Sequence, residues 1–267
     1  MTPTALLKTL GRGGRMETSP SGRRMFLVAS GLGGASLLLG CKGSETAPSG
    51  PQPITLGPEA GTGDEKEKDE PEVTATEDLM REHGVIRRAL VVYREAASRL
   101  RTKPASVPLH ALQKTARLIH SFAEDYHEKK LEEAYLFPAV KKAGGPAARL
   151  VDTLVAQHNR GREITEYVIA VTSAPIGMNA ETLARSLDGF ARMYEEHTAF
   201  EDTIVFPAWK TTMTPGELDA MGDNFEGIEH DTFGKDGFDD AVEQITAIER
   251  AFAFDLALFT APPPPKP

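Results

Sequence analysis

His197 and Glu201 stand four residues apart in the run His197-Thr198-Ala199-Phe200-Glu201-Asp202, which passes into Ile204-Val205-Phe206-Pro207. On a helix that spacing brings an imidazole and a carboxylate to one face. A looser version lies earlier in the chain: His127, then Glu132-Glu133-Ala134-Tyr135-Leu136-Phe137-Pro138. His83 and His158 stand on two further helical stretches. Imidazole and carboxylate without thiolate suit iron, manganese or zinc rather than copper(I) or an iron–sulfur cluster. A pair of adjacent ions needs a shared carboxylate and six or more protein groups. The set His83, His127, Glu132, His158, His197 and Glu201 supplies them if four helices turn those residues inward.

The elements that must position them follow from apolar periodicity. Thr74 or Thr76 caps a first helix, with Glu77 and Asp78 placed well for the helix dipole. Leu79, His83, Ile86 and Leu90 form its stripe, and it stops before Pro104. A second helix opens near Pro108, turns Leu112, Ala116, Ile119 and Phe122 to the core, and ends at Gly144-Gly145. Pro138 inside this run predicts a kink or break. Pro146 opens a third helix with Leu150, Leu154 and His158 on its stripe, fading near Ser173. Asn179 caps a fourth, whose inner face carries Leu183, Leu187, Phe190, Tyr194, His197, Glu201 and Ile204. Short loops favour antiparallel neighbours. The fold class is therefore all-α: an antiparallel up-down four-helix bundle over residues 74–210, with an additional C-terminal helix in an extension over 211–258. Residues 211–238 read as glycine-punctuated short helical pieces, and 259–267 as a proline-rich extended tail.

Before the bundle the chain changes character. Gly22-Arg23-Arg24-Met25-Phe26-Leu27-Val28 resembles a twin-arginine export signal, and Leu38-Leu39-Gly40-Cys41 resembles a lipoprotein cleavage box. Residues 1–41 are thus expected to be a signal with its lipobox, and Cys41, the single cysteine, the point of lipidation. No thiol then remains for a disulfide, a thiolate metal site or a nucleophile. Residues 42–73, rich in Gly, Pro, Ser and Glu, read as a disordered linker. The product would be exported and held at the membrane through lipid. With 30 Lys+Arg against 39 Asp+Glu the net charge is −9, which argues against nucleic acid as a partner and gives no electrostatic help at an anionic membrane.

From Asp78 to Pro207 the chain resembles the hemerythrin-like, HHE cation-binding family. The resemblance rests on Glu82-His83, on Asp125-Tyr126-His127-Glu128 with Glu132-Glu133 and Leu136-Phe137-Pro138, on Gln157-His158, and on His197 with Glu201-Asp202 and Phe206-Pro207. It implies a four-helix bundle around a non-haem di-iron centre: iron as cofactor, with manganese or zinc as alternatives. It also implies reversible binding of a small ligand such as O₂, sensing of oxygen or iron, or the handling of peroxide or nitric oxide; the expectation is binding rather than turnover, with no catalytic residue assigned and a peroxide- or NO-detoxifying enzyme as an alternative. On it, His83 is the first-helix ligand, His127 and Glu132 the second-helix pair, His158 the third and His197 with Glu201 the fourth. Oxygen-carrying members place a second histidine four residues after the third-helix one; here that residue is Arg162. A site richer in carboxylate points to metal sensing or oxidation chemistry more than to reversible O₂ carriage.

His127 and Glu132 are five residues apart, which on a regular helix leaves them about 140° from alignment. A π-bulge between them would restore it; otherwise Glu128 supplies the carboxylate. Glu128 and Glu133 otherwise read as solvated surface charges. His110 reads as a surface residue, His120 as a core or groove histidine, His230 as outside the site, and Arg162 as a partner for a ligand carboxylate or a residue across the bundle end. Two rival functions stand beside this one. A ferritin-like oxidase needs Glu-x-x-His twice; Glu124 and His127 provide it once, and Tyr194 occupies the second place. The other is a metal-free structural bundle. No serine elbow or phosphate-binding loop offers a different chemistry.

Overall fold

The computed structural model describes residues 73–254 and 260–265. The expected signal, Cys41 and the linker up to residue 72 lie outside the described residues. Helix α1 spans Ala75–Thr102 and starts in a capping box: the Thr74 side chain accepts from the Glu77 backbone while Glu77 accepts from Thr74 N–H. The second rod has three parts: α2 (Leu109–Leu118), a π-helical stretch π1 (Ile119–Leu136) and α3 (Phe137–Ala143). A short α4 (Gly145–Ala148) leads into α5 (Val151–Ser173). The fourth rod is α6 (Ala180–Phe200), capped by Asn179, then π2 (Glu201–Val205) and α7 (Phe206–Lys210). Helices α8 (Pro215–Phe233) and α9 (Gly237–Ala251) follow. No strand occurs among the described residues.

Cross-helix contacts give the directions. Along α1 and the fourth rod, Arg87 meets Asp202, Arg94 meets Glu195 and Arg101 meets Asp188, so one number falls as the other rises. The second rod and α5 run against each other through Gln113–Ser173, Glu128–Arg162 and Lys141–Asp152. Helix α5 meets α6 through His158–His197 and Gln157–His197. The four rods form the antiparallel up-down bundle, its core filled by residues such as Leu79, Leu90, Leu112, Phe122, Leu154, Leu187, Phe190 and Phe206.

Pro138 does not break its rod. The Phe137 N–H reaches back five residues to the Glu132 carbonyl, and in the fourth rod the Phe206 N–H does the same to Glu201. Each π turn closes at the residue before a proline. The proline lacks an N–H and needs room for its ring against the preceding turn, and the wider turn absorbs both demands, so α3 and α7 continue.

The extension also differs from the expected short pieces, because α8 is one helix of 19 residues. Gly216, Gly222 and Gly227 weaken it locally. A second capping box, Thr214 with Glu217, starts it. Phe225 then anchors it against Trp209, with rings 5.8 Å apart and nearly parallel, and against the edge of Tyr135. Helix α9 lies on α1 through a bidentate pair: Arg88 donates to both Glu249 oxygens at 2.8 and 2.7 Å and to Thr246.

Candidate metal centre

The six residues singled out above converge inside the bundle, each no more than 2 % exposed. His83 Nε2 lies 3.1 Å from His127 Nε2, and His158 Nε2 lies 3.1 Å from His197 Nε2. Glu132 stands between the two pairs, with Oε1 at 3.4 Å from His127 and Oε2 at 3.4 Å from His158. Glu201 Oε2 faces both pairs as well, 3.5 Å from His83 and 3.0 Å from His197. The π turn predicted between His127 and Glu132 is present, as part of a longer stretch, and it brings Glu132 to the face of His127. Glu128 therefore does not take its place.

Each imidazole is aimed by a group on another helix. His127 Nδ1 bonds to Glu82 at 2.6 Å, His83 Nδ1 to Asp202 at 2.8 Å, His158 Nδ1 to Glu133 at 2.8 Å, and His197 Nδ1 to Gln157 Oε1 at 2.9 Å. Ionised carboxylates only accept, so Nδ1 carries the proton and Nε2 is the atom turned inward. Sequence reasoning assigned none of these four orienting roles, although every one of the four residues adjoins a member of the cluster. A neighbour on a helix projects about 100° away, which turns it toward the adjacent rod. The Phe of each Phe-Pro pair covers one ring: Phe137 stacks on His158 at 5.5 Å and Phe206 on His83 at 5.2 Å.

Charges follow the pairing. Burial opposes the charged form of all four rings. It draws His83 below its ordinary value and, with the His158 charge, brings His197 down to about 3. At His127 the attraction of Glu132 and Glu82 overcomes burial and raises the ring. At His158 burial is likewise outweighed, by Glu128, Glu132 and Glu133, which push it up to about 10. Burial also opposes the Glu132 carboxylate, but His127 and His158 hold it well below the usual range; burial and the Glu132 charge push Glu201 well above it. Each Nε2···Nε2 contact thus joins one raised imidazole to one lowered one.

The donors gathered here fit a cation. Both oxygens of Glu132 and both of Glu201 are buried and make no hydrogen bond, an arrangement that is costly in a protein interior unless a positive ion faces them. Donor atoms bound at right angles to one ion, at about 2.0–2.2 Å, lie roughly 3 Å apart, the spacing of each nitrogen pair. The donor atoms of Glu132, His158, His197 and Glu201 all fall within 4.8 Å of one another, as do those of His83, His127 and Glu132.

The hemerythrin HHE cation-binding domain matches residues 74–209. The chain belongs to this family. An uncharacterized protein of Mycobacterium tuberculosis (strain H37Rv) and another of Mycobacterium bovis are each 39% identical to it over 251 residues, covering 91% of this chain and 93% of the relative. No solved structure matches it.

Around the HHE cluster the remaining candidates separate. Glu128 is buried, not a solvated surface charge: Tyr194 donates to its Oε1 at 2.6 Å and Arg162 to its Oε2 at 3.0 Å. Glu133 is partly buried and holds His158 while accepting from Arg162 at 2.7 Å. Arg162 therefore pairs with these two carboxylates and not with Glu132 or Glu201. Gly161 makes room for the arrangement, since a Cβ there would lie 2.1 Å from the Tyr194 hydroxyl. His120 is on the surface, its side chain 49% exposed and near Glu124 and Asp125. His110 and His230 are exposed and lie outside the cluster.

Proposed function

We propose that this hemerythrin-like chain is a non-haem di-iron protein that binds O₂ or a related small ligand, or senses or handles iron. His83 and His127 would hold one ion, His158 and His197 the other, with Glu132 and Glu201 shared between them. The observation that carries the reading is the pair of buried carboxylates whose four oxygens make no hydrogen bond while facing two nitrogen pairs. Four imidazoles and two carboxylates without sulfur favour iron, with manganese and zinc as alternatives.

Iron in this setting would supply reversible one-electron chemistry and a Lewis-acidic place for a small ligand. The chain's own residues do the rest. Glu82, Asp202, Glu133 and Gln157 hold the rings in orientation, and Phe137 and Phe206 keep water off two of them. Arg87 and Arg162 neutralise Asp202 and Glu133, so the orienting carboxylates stay ionised. The ferritin-like alternative is weakened because Glu124 stands beside His120 rather than in the six-residue cluster. We assign the protein binding rather than turnover, and place it outside the cytoplasmic membrane on a lipid carried by Cys41. Metal content with the visible charge-transfer spectrum tests the assignment. An oxygenated spectrum that persists through repeated deoxygenation would favour O₂ carriage over sensing.

A further inference from the structure

A second set of buried polar atoms with nothing to bond lies in the bundle apart from the six-residue cluster. Glu124 on π1 is 1 % exposed, and its Oε1 has no hydrogen-bond partner. The Tyr93 hydroxyl of α1, in a fully buried residue, is in the same condition, and the fully buried Thr165 of α5 sets its hydroxyl against the Glu124 carboxylate. The three belong to one place: the Glu124 charge adds to burial in raising the Tyr93 phenol, and the Thr165 hydroxyl favours the Glu124 carboxylate.

One side of this group reaches solvent. Glu124 Oε2 lies 3.3 Å from His120 Nδ1, and the His120 ring is half exposed one helical turn earlier. The other side leads inward. The Glu128 charge helps raise Glu124, the Glu124 charge helps raise Tyr194, Tyr194 donates to Glu128 at 2.6 Å, and the Tyr194 ring lies 5.3 Å from that of His197. Glu124 is thus faced by His120 and Glu128 from its own rod, Tyr93 from α1, Thr165 from α5 and Tyr194 from α6.

We propose that Glu124 is a proton-transfer station linking solvent at His120 to the buried hydroxyls of Tyr93 and Thr165. His120 Nε2 takes a proton from bulk water, and Nδ1 passes its own to Glu124 Oε2, which leaves the ring neutral. Rotation of the carboxyl about its Cγ–Cδ bond turns the protonated oxygen toward Tyr93 and Thr165, where the proton is held, and the sequence runs equally in reverse. Burial raises the Glu124 carboxyl to about 7, so both of its forms are populated near neutrality. A station here has a use under the cation reading, since metal binding releases protons from its ligands. Its existence does not depend on that reading.

Infrared spectroscopy of the full chain, metal-free and iron-loaded, tests it. Near pH 7 a protonated-carboxyl stretch is expected that Glu124→Gln removes and Thr165→Val shifts, both variants keeping native circular dichroism. After a pH jump, His120→Ala should slow protonation of that band on the order of a hundredfold, the low end of what a positioned proton donor contributes, with its amplitude and the metal content unchanged. A spectrum in which Glu124→Gln removes no band, or a rate that His120→Ala leaves alone, overturns the proposal. Absence of metal from the wild-type chain would overturn the functional assignment and leave this one standing.

Discussion

At the level of single residues, the cluster works because every imidazole gives one nitrogen away so that the other is fixed. Glu82, Asp202, Glu133 and Gln157 each accept from an Nδ1. Removing such a partner leaves the ring in place but free to turn. Asp202→Ala and Gln157→Ala should each weaken metal affinity roughly 10- to 100-fold while leaving the helix content unchanged, as read by competition with a chelator of known affinity. Glu124 supports a pH prediction. Its folded-state value is raised by burial to about 7 from an ordinary 4.5. For a carboxyl raised on folding, the neutral form is favoured in the fold. The associated stability is complete below pH 4.5 and falls as pH climbs through 7. Glu124→Gln cannot ionise, so its stability relative to wild type should improve across that window by on the order of 3 kcal/mol, measured by urea denaturation at pH 5 and pH 8. Glu128 shows what a linear reading misses at this scale. Glutamate is seldom buried unless paired, and the partners that bury this one, Tyr194 and Arg162, sit on other rods.

At the level of elements, the bundle carries an approximate internal two-fold relation. His127, Glu132, Glu133 and Phe137 on the second rod answer to His197, Glu201, Asp202 and Phe206 on the fourth. Glu82-His83 with Arg87 on α1 answers to Gln157-His158 with Arg162 on α5. The recurrence of histidine, glutamate and Phe-Pro was visible in the sequence because it belongs to this arrangement. The inward stripes and caps made the four rods legible, and a spacing of five against four made a π turn between His127 and Glu132 legible. The extent of π1 was not, because nothing in the residues before His127 marks it. Helix α8 was missed because its glycines look like breaks, while the stacking of Phe225 on Trp209 that holds it is a tertiary contact. Helix α9 rests on α1 through Arg88 and the nearly buried Glu249, whose pairing raises the guanidinium. Arg88→Ala would strand that carboxylate at a cost of about 2 kcal/mol, reduced from a fully buried pair because Arg88 is partly open to solvent. Amide exchange should then quicken in α9 while α6 keeps its protection.

For the molecule as a whole, the acidic balance of 30 basic to 39 acidic groups gives the chain no net attraction to anionic lipid. None of the described helices is long and apolar enough to cross a membrane. We propose that lipid on Cys41 attaches the chain to the membrane. Cys41→Ser should move the protein from the membrane fraction to the soluble exported fraction, and unchanged partitioning would remove the lipid anchor from the account. The central claim concerns the cluster itself, and the count of bound ions tests it most directly. Elemental analysis of the full chain purified from its native host should find two iron ions per chain. Glu132→Ala should lose both, because that carboxylate faces both imidazole pairs. A chain that folds fully with no transition metal bound, or a Glu132→Ala variant that keeps its complement, would contradict it.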